Sequence, residues 1–400
     1  MDLYAQHGAQ CGEKITAGLA AGVLNGVIFG AKEISGEKLR TDLSQIATTW
    51  PAAARLFDPH FYATLIAAQP GARLGYLIGE KGHGYFQAHL RRDLEEVGPL
   101  QADIRACLRF QAALPLTALI SPNIVIRRSF DSVEGVVAKN FIRNAKAIGN
   151  EVSPGRKVYA TLAISQAALA DKTELQTFLQ EITETENPPD GFYLLLEKLD
   201  SNPIPSLTEP DCLSRWMLIN YSLKISGFEV INGYTDLLSP YIAATGADAV
   251  ASGWFSTLKS FSLRKFEPAD SFPARPVPRY SSVSLLKSIR HTELHDIRSS
   301  FPEILNGLPS DAFYPVTDGS RPDVKNEAVQ NWDAIKAMIA KVSKPTVPAS
   351  VAACSAALDD AGELYGSVSL IGYSLRERSN GEHISAIRDE LSEFSSLAEL

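Results

Sequence analysis

The chain has 400 residues, 45% of them hydrophobic and 21% charged, and a formal net charge of −8. That length holds one large barrel with an accessory region, or two ordinary domains. The acidic balance argues against a nucleic-acid partner, because binding a phosphate backbone depends on Lys and Arg neutralising it.

In chain order, the first long apolar stretch is "ITAGLAAGVLNGVIFGA", which carries four glycines and an asparagine. A membrane-spanning helix needs about 20 consistently apolar residues, so the stretch reads as a small-residue helix running into a strand, and no membrane partner is expected. The four cysteines, Cys11, Cys107, Cys212 and Cys354, lie far apart, with no CxxC pair. Reduced thiols and a cytoplasmic location are expected, with no metal site and no cofactor.

"GVIFGAKEIS" is a strand candidate, and "GEKLRTDLSQIATTW" after it places Leu39, Leu43, Ile46 and Trp50 on one helical face. "ARLFDPHFY", "ARLGYLIGE" and "LTALISPNIVI" are further strand candidates, and the helical stretch after them lines up Val133, Val137, Phe141 and Ala145. The next units alternate more cleanly. "RKVYATLAIS", "DGFYLLLEK", "FEVING" and "ADAVASG" are each followed by a stretch of helical pattern. Near-continuous apolar strands between amphipathic helices are what a parallel sheet covered by helices requires, because its strands are buried on both faces.

About seven strand–helix units fall before Phe266, and "RYSSVSLLKSI" supplies a candidate eighth, which suits a (β/α)8 TIM-type barrel better than an open doubly wound sheet. The early glycines do not form GxGxxG after a first strand, which also counts against a dinucleotide fold. Residues 267–278 read as an ordered proline-rich loop between the seventh and eighth units. The barrel is expected over 1–322, and a helical appendage over 323–400. Its three helices carry apolar stripes at Val329, Trp332, Ile335 and Ile339, then Leu358, Leu364 and Val368, then Ile384, Ile387, Leu391 and Phe394. Such stripes either cap the barrel or form a homo-oligomer contact.

In a parallel barrel the carboxyl-terminal strand ends share one rim, and chemistry sits there. Two apolar runs, ending at Gly233 and Gly253, stop in the same way and fall on that rim. Asp58 in "LFDPHFY" and Glu197 in "LLLEKLD" end apolar runs, where partial burial moves a carboxyl pKa and suits it to acid, base or nucleophilic work. His60 lies beside Asp58 as a proton shuttle candidate. His83, in the glycine-flanked "GEKGHGY", reads as an exposed loop residue, and "HTELHD" as a solvated helix face.

Asn123, Ser165, Gln166 and Asn232 are neutral groups suited to holding a polar substrate. In "SGWFSTLKS", Gly253, Ser256, Thr257 and Lys259 are candidates for an anion site, and Trp254 for a flat wall under a ring. Helix capping and an aromatic wedge are the plainer readings of the same residues.

Together these readings describe a cytoplasmic enzyme acting by acid–base chemistry on a polar small molecule such as a sugar, nucleoside or phosphorylated metabolite. One alternative is a non-catalytic binding or assembly component that uses the C-terminal helices. A more distant one is a base-exchanging transglycosylase of the tRNA-guanine type, whose clustered zinc cysteines this sequence lacks.

Overall fold

In the computed structural model, which describes residues 1–198, 211–268, 277–315 and 321–400, apolar runs alternate with helices from the first residues onward. The elements follow in order as β1 (Asp2–Gln6), α1 (Lys14–Ala20), β2 (Gly26–Gly30), α2 (Gly36–Thr49), β3 (Ala54–Asp58), α3 (Thr64–Ala67), α4 (Val97–Ala112), β4 (Leu119–Ile120), β5 (Val125–Ile126), α5 (Val133–Val152), β6 (Val158–Ser165), α6 (Lys172–Thr183) and β7 (Gly191–Glu197). They continue with α7 (Cys212–Ile225), β8 (Glu229–Asn232), α8 (Ser239–Ala244), β9 (Ala249–Ser252), α9 (Ser256–Lys259), β10 (Arg279–Ser282), β11 (Lys287–Arg290), α10 (His291–Ile297), α11 (Val324–Val342), α12 (Val347–Leu370) and α13 (His383–Leu397).

The strands pair in parallel in the order β3-β2-β1-β9-β8-β7-β6-β4, with β5 also on β6. The two ends meet where Thr117, just before β4, donates its backbone N–H to the Arg55 carbonyl at 2.9 Å and accepts the Arg55 N–H on its hydroxyl at 3.0 Å. The result is a nearly closed barrel of eight parallel strands wrapped in helices, with C-terminal helices outside it. β4 and β5 are one barrel strand with a bulge: Leu119 and Val125 pair with Val158 and Ala163, so this strand uses one residue more than β6 over the same length.

Strands buried on both faces need apolar sequence throughout, and every residue of β6 and β7 is buried. Helix starts are set by short polar caps. Ser35 accepts from Lys38 N–H for α2, Ser132 from Gly135 N–H for α5, and Asp171 from Thr173 and Glu174 N–H for α6.

Three expectations are corrected. The first barrel strand is β1, "DLYAQ", between β2 and β9. "RYSSVSLLKSI" forms the antiparallel hairpin β10–β11 outside the barrel, because its two short halves fold back on each other. "ARLGYLIGE" forms no strand; its centre is a 3-10 turn at Gly75–Leu77, opened by Gly75 at φ +52°. Part of the proline-rich loop, 269–276, lies outside the described residues.

The predicted stripes of the last three helices are buried. α11 packs on α1 and α8, α12 on α8, and α13 on α7. Among the described residues, no helix is long and apolar enough to cross a membrane.

Candidate active site

Strand register determines which side chains look into the barrel. Side chains alternate along a strand, and partners in a parallel ladder share a face. Gln6 pairs with Ile28, Gly30 with Asp58, Thr161 with Tyr193, and Ser165 with Glu197. Tyr193 reaches Asp58 across the barrel, its hydroxyl 3.1 Å from Oδ2, so this set faces inward. Asp58 and Glu197 therefore look into the same carboxyl-terminal mouth.

Asp58 is fully buried. Its Oδ1 accepts the His60 backbone N–H at 3.0 Å, and Oδ2 accepts the hydroxyls of Tyr62 at 3.0 Å and Tyr193 at 3.1 Å. Burial raises its pKa above the usual carboxylate range, against the opposing pull of Lys265 and these hydrogen bonds. The phenols of Tyr62, Tyr193 and Tyr234 are held far above their ordinary pKa, first by burial and then by the Asp58 charge, so they remain donors.

His60 takes the left-handed conformation at φ +51°, which turns the chain sharply after Asp58. Its Nδ1 accepts the Lys32 N–H at 3.2 Å, which puts the ring proton of the neutral form on Nε2, 3.6 Å from Asp58 Oδ2. Burial and then the charges of Lys265 and Lys32 push its pKa well below 6.5. The imidazole is therefore neutral at physiological pH and does not titrate near neutrality.

Glu197 ends β7 and accepts the Leu263 N–H at 3.4 Å. Burial raises its pKa, opposed by the Arg127 charge and by bonds from Leu263 and Ser165.

Five residues of this cluster, Gln6, Tyr62, Tyr193, Tyr234 and Lys265, are not among the candidates read from the sequence. Gln6 is fully buried beside the phenols of Tyr193 and Tyr234, yet neither end of its amide makes a hydrogen bond of normal geometry. Lys265, from the chain after α9, donates to the Tyr234 hydroxyl at 2.8 Å, and Tyr234 itself stands at φ +58°. Tyr193 was findable, because Tyr193, Leu195 and Glu197 share one strand face. Lys265 sits in "FSLRKF", where no periodicity points inward.

The remaining candidates have other settings. Asn232 faces the helix layer, where its amide is used by Trp216 and Asn220. Asn123 lies in the β4–β5 bulge, bonded to the carbonyls of Ala138 and Thr161 and to the Ile124 N–H. Gln166 is buried just beyond β6. A side chain at Gly253 would press on Leu258 and the Gln6 carbonyl, and one at Gly233 on Leu195 and the Tyr193 hydroxyl, so both glycine stops allow rim backbone and barrel interior to approach closely.

Trp254 wedges edge-on against Trp332 and His7 and donates to the Ala9 carbonyl. Ser256 and Thr257 are exposed on the short α9, whose first turn has no side-chain cap. Lys259 pairs with Asp236 at 3.6 Å and donates to Asn331 at 3.1 Å. His83 is buried among Phe57, Tyr85 and Phe110 and bonds the Ala31 carbonyl, unlike the exposed residue expected. In "HTELHD", Glu293 is buried rather than solvated and accepts from Arg290, Arg376 and Ser379. Among the described residues, no three His, Cys, Asp or Glu side chains converge as a metal site.

Fold and register thus define an α/β barrel of TIM type with a C-terminal helical appendage and a polar, aromatic-walled mouth. No protein-family model matches the chain, and no curated protein matches it.

Proposed function

We propose that the chain is an enzyme that performs acid–base chemistry on a small polar molecule, a sugar, nucleoside or phosphorylated metabolite, at the carboxyl-terminal mouth of its barrel. The observation that carries this reading is Asp58: fully buried, raised in pKa and held by two phenols and a backbone amide at the barrel end where such enzymes place chemistry. A carboxyl whose pKa is raised by burial holds its proton more readily than a solvated one, which suits a general acid. Glu197, also raised, is the second proton-transferring group from another strand of the same mouth. Backbone strain supports the reading as well, since His60, Tyr234 and Asp236 all adopt positive φ at this rim. Four free cysteines suit work in the cytoplasm.

The test is incubation of the chain with a pool of sugars, nucleosides and phosphorylated metabolites, followed by mass spectrometry, for the unaltered protein and for Asp58→Asn and Glu197→Gln. Consumption of one compound that both substitutions abolish is the expected result. Equal consumption by the variants, or none by the unaltered chain, overturns the reading.

A further inference from the structure

Lys265 has no part in that acid–base scheme, and its surroundings differ from those of an ordinary paired lysine. Its amine donates to the Tyr234 hydroxyl at 2.8 Å and lies 4.6 Å from the Tyr234 ring centroid, 5.1 Å from Phe266, 5.7 Å from Phe261 and 5.9 Å from Tyr62. Among the described residues it forms no ion pair with a carboxylate, whereas the nearby Lys259 pairs with Asp236. A ring of aromatic walls solvates an ammonium less well than water does, and a phenol oxygen compensates the charge less than a carboxylate. The residue as a whole is half-buried, while its amine is enclosed by these four rings.

We infer that Lys265 is a covalent nucleophile of this site, its amine condensing with the carbonyl carbon of an aldehyde or ketone substrate to form an imine. The inference rests on the acid–base reading above and gives it a substrate class, a small polar carbonyl compound such as an open-chain sugar. The neutral amine attacks the carbonyl carbon, forming a C–N bond while the C=O π pair moves onto oxygen. A proton passes from nitrogen to that oxygen to give a carbinolamine. A second proton, delivered through the hydroxyls around Asp58, lets the C–O bond break, and water leaves as the nitrogen lone pair forms C=N; loss of the iminium proton balances the step. One carbonyl and one amine give one imine and one water, with no redox partner.

Two features of the cluster suit this chemistry. Burial lowers the Lys265 pKa to about 8, against the opposing Asp58 and Glu33 charges, so a fraction of the amine is unprotonated at neutral pH. Tyr62, bonded to Asp58, and Tyr234, bonded to the amine, place one hydroxyl at the carboxyl and one at the nitrogen.

The test uses the full chain with formaldehyde, glycolaldehyde and pyruvate as separate probes, each with cyanoborohydride to reduce any imine, and peptide mass spectrometry to compare Lys265 with the exposed Lys172. Modification of Lys265 by glycolaldehyde or pyruvate about tenfold faster than Lys172, with a rate rising through pH about 8, is expected. Modification no faster than Lys172, or by formaldehyde alone, overturns the inference, since the smallest probe by itself shows an open amine without room for a substrate. Lys265→Arg keeps the charge and cannot form the imine. Metabolite turnover that survives in it but fails in Asp58→Asn sinks the imine and leaves the acid–base reading. Preferential labelling of Lys265 with turnover indifferent to Asp58 does the reverse.

Discussion

The two ends of this barrel treat charge differently. At the amino-terminal end three carboxylates meet lysines: Glu229 with Lys157 at 2.5 Å, Asp248 with Lys224 at 2.8 Å, and Asp190 with Lys146 at 2.6 Å. Asp248 and Asp190 also accept the backbone N–H of Val230 and Val158, which fastens strand starts to the same ion pairs. At the carboxyl-terminal mouth, Asp58 is bound by phenols, Lys265 by a phenol, and Gln6 and His60 Nε2 keep polar atoms without a partner. Matched charges hold a fold together, whereas unmatched buried groups cost stability and persist where they serve another purpose. One sheet thus carries a matched end and an unmatched end.

Several substitutions would break or sharpen that contrast. The largest effect is expected at Asp58→Asn, which keeps the shape of the side chain but removes its charge and replaces one accepting oxygen with a donating NH2. Turnover of the substrate found by metabolite profiling should fall about 10²–10⁴-fold with the thermal transition little changed; a fold lost along with the activity would make Asp58 a structural group.

Trp332→Ala comes next. Trp332 is fully buried and donates its indole N–H to the Ser252 carbonyl at the end of β9. Truncation should cost about 3–5 kcal/mol in denaturant unfolding. A much smaller loss would mean that α11 does not brace the mouth.

Lys265→Met should stabilise the protein by about 1–3 kcal/mol at pH 7, because it removes a buried ammonium that lacks a carboxylate partner. The folded pKa of Lys265, about 8, lies below the unfolded 10.5, so the folded state sheds this proton first and the unaltered chain gains stability as pH rises between those values. The advantage of the variant should therefore shrink from pH 8 upward, and an advantage that does not change with pH would contradict the buried charge.

The smallest effect belongs to the matched end. Burial pulls the Glu229 pKa upward, but hydrogen bonds from Lys157 and Tyr159 outweigh it and leave the carboxylate below its usual value. Its contribution is present above pH 4.5 and lost as pH falls through the lower folded value. Glu229→Gln should cost only about 0.5–1 kcal/mol, because the pair is partly exposed and screened. Turnover should not change; a drop would carry the chemistry beyond the mouth.

The alternation of apolar runs and amphipathic stretches was enough to read the barrel, because strands buried on both faces and helices buried on one leave different periods in the text. Strand direction leaves no such trace. "RYSSVSLLKSI" looks like any other short run, and only the structure shows it folding back on itself. "DLYAQ" has no turn signal before it and is short, so nothing sets it apart. Within the site, Asp58 and His60 were legible through their closeness in sequence, and Glu197 through its place at the end of an apolar run. Asn232 was assigned to the rim because pattern gives the period of a strand but not its phase, and the phase turns its amide to the helices. Gln6 and Lys265 join one cluster around Tyr234 only because β1 lies between β2 and β9 and the chain after α9 returns to the mouth.

Asn331 and Trp332 of α11 reach the rim at Asp236 and Ser252. Ribosomal synthesis delivers these two anchors long after the strands they secure. The strands of the barrel are therefore complete in the growing chain before these two rim contacts can form.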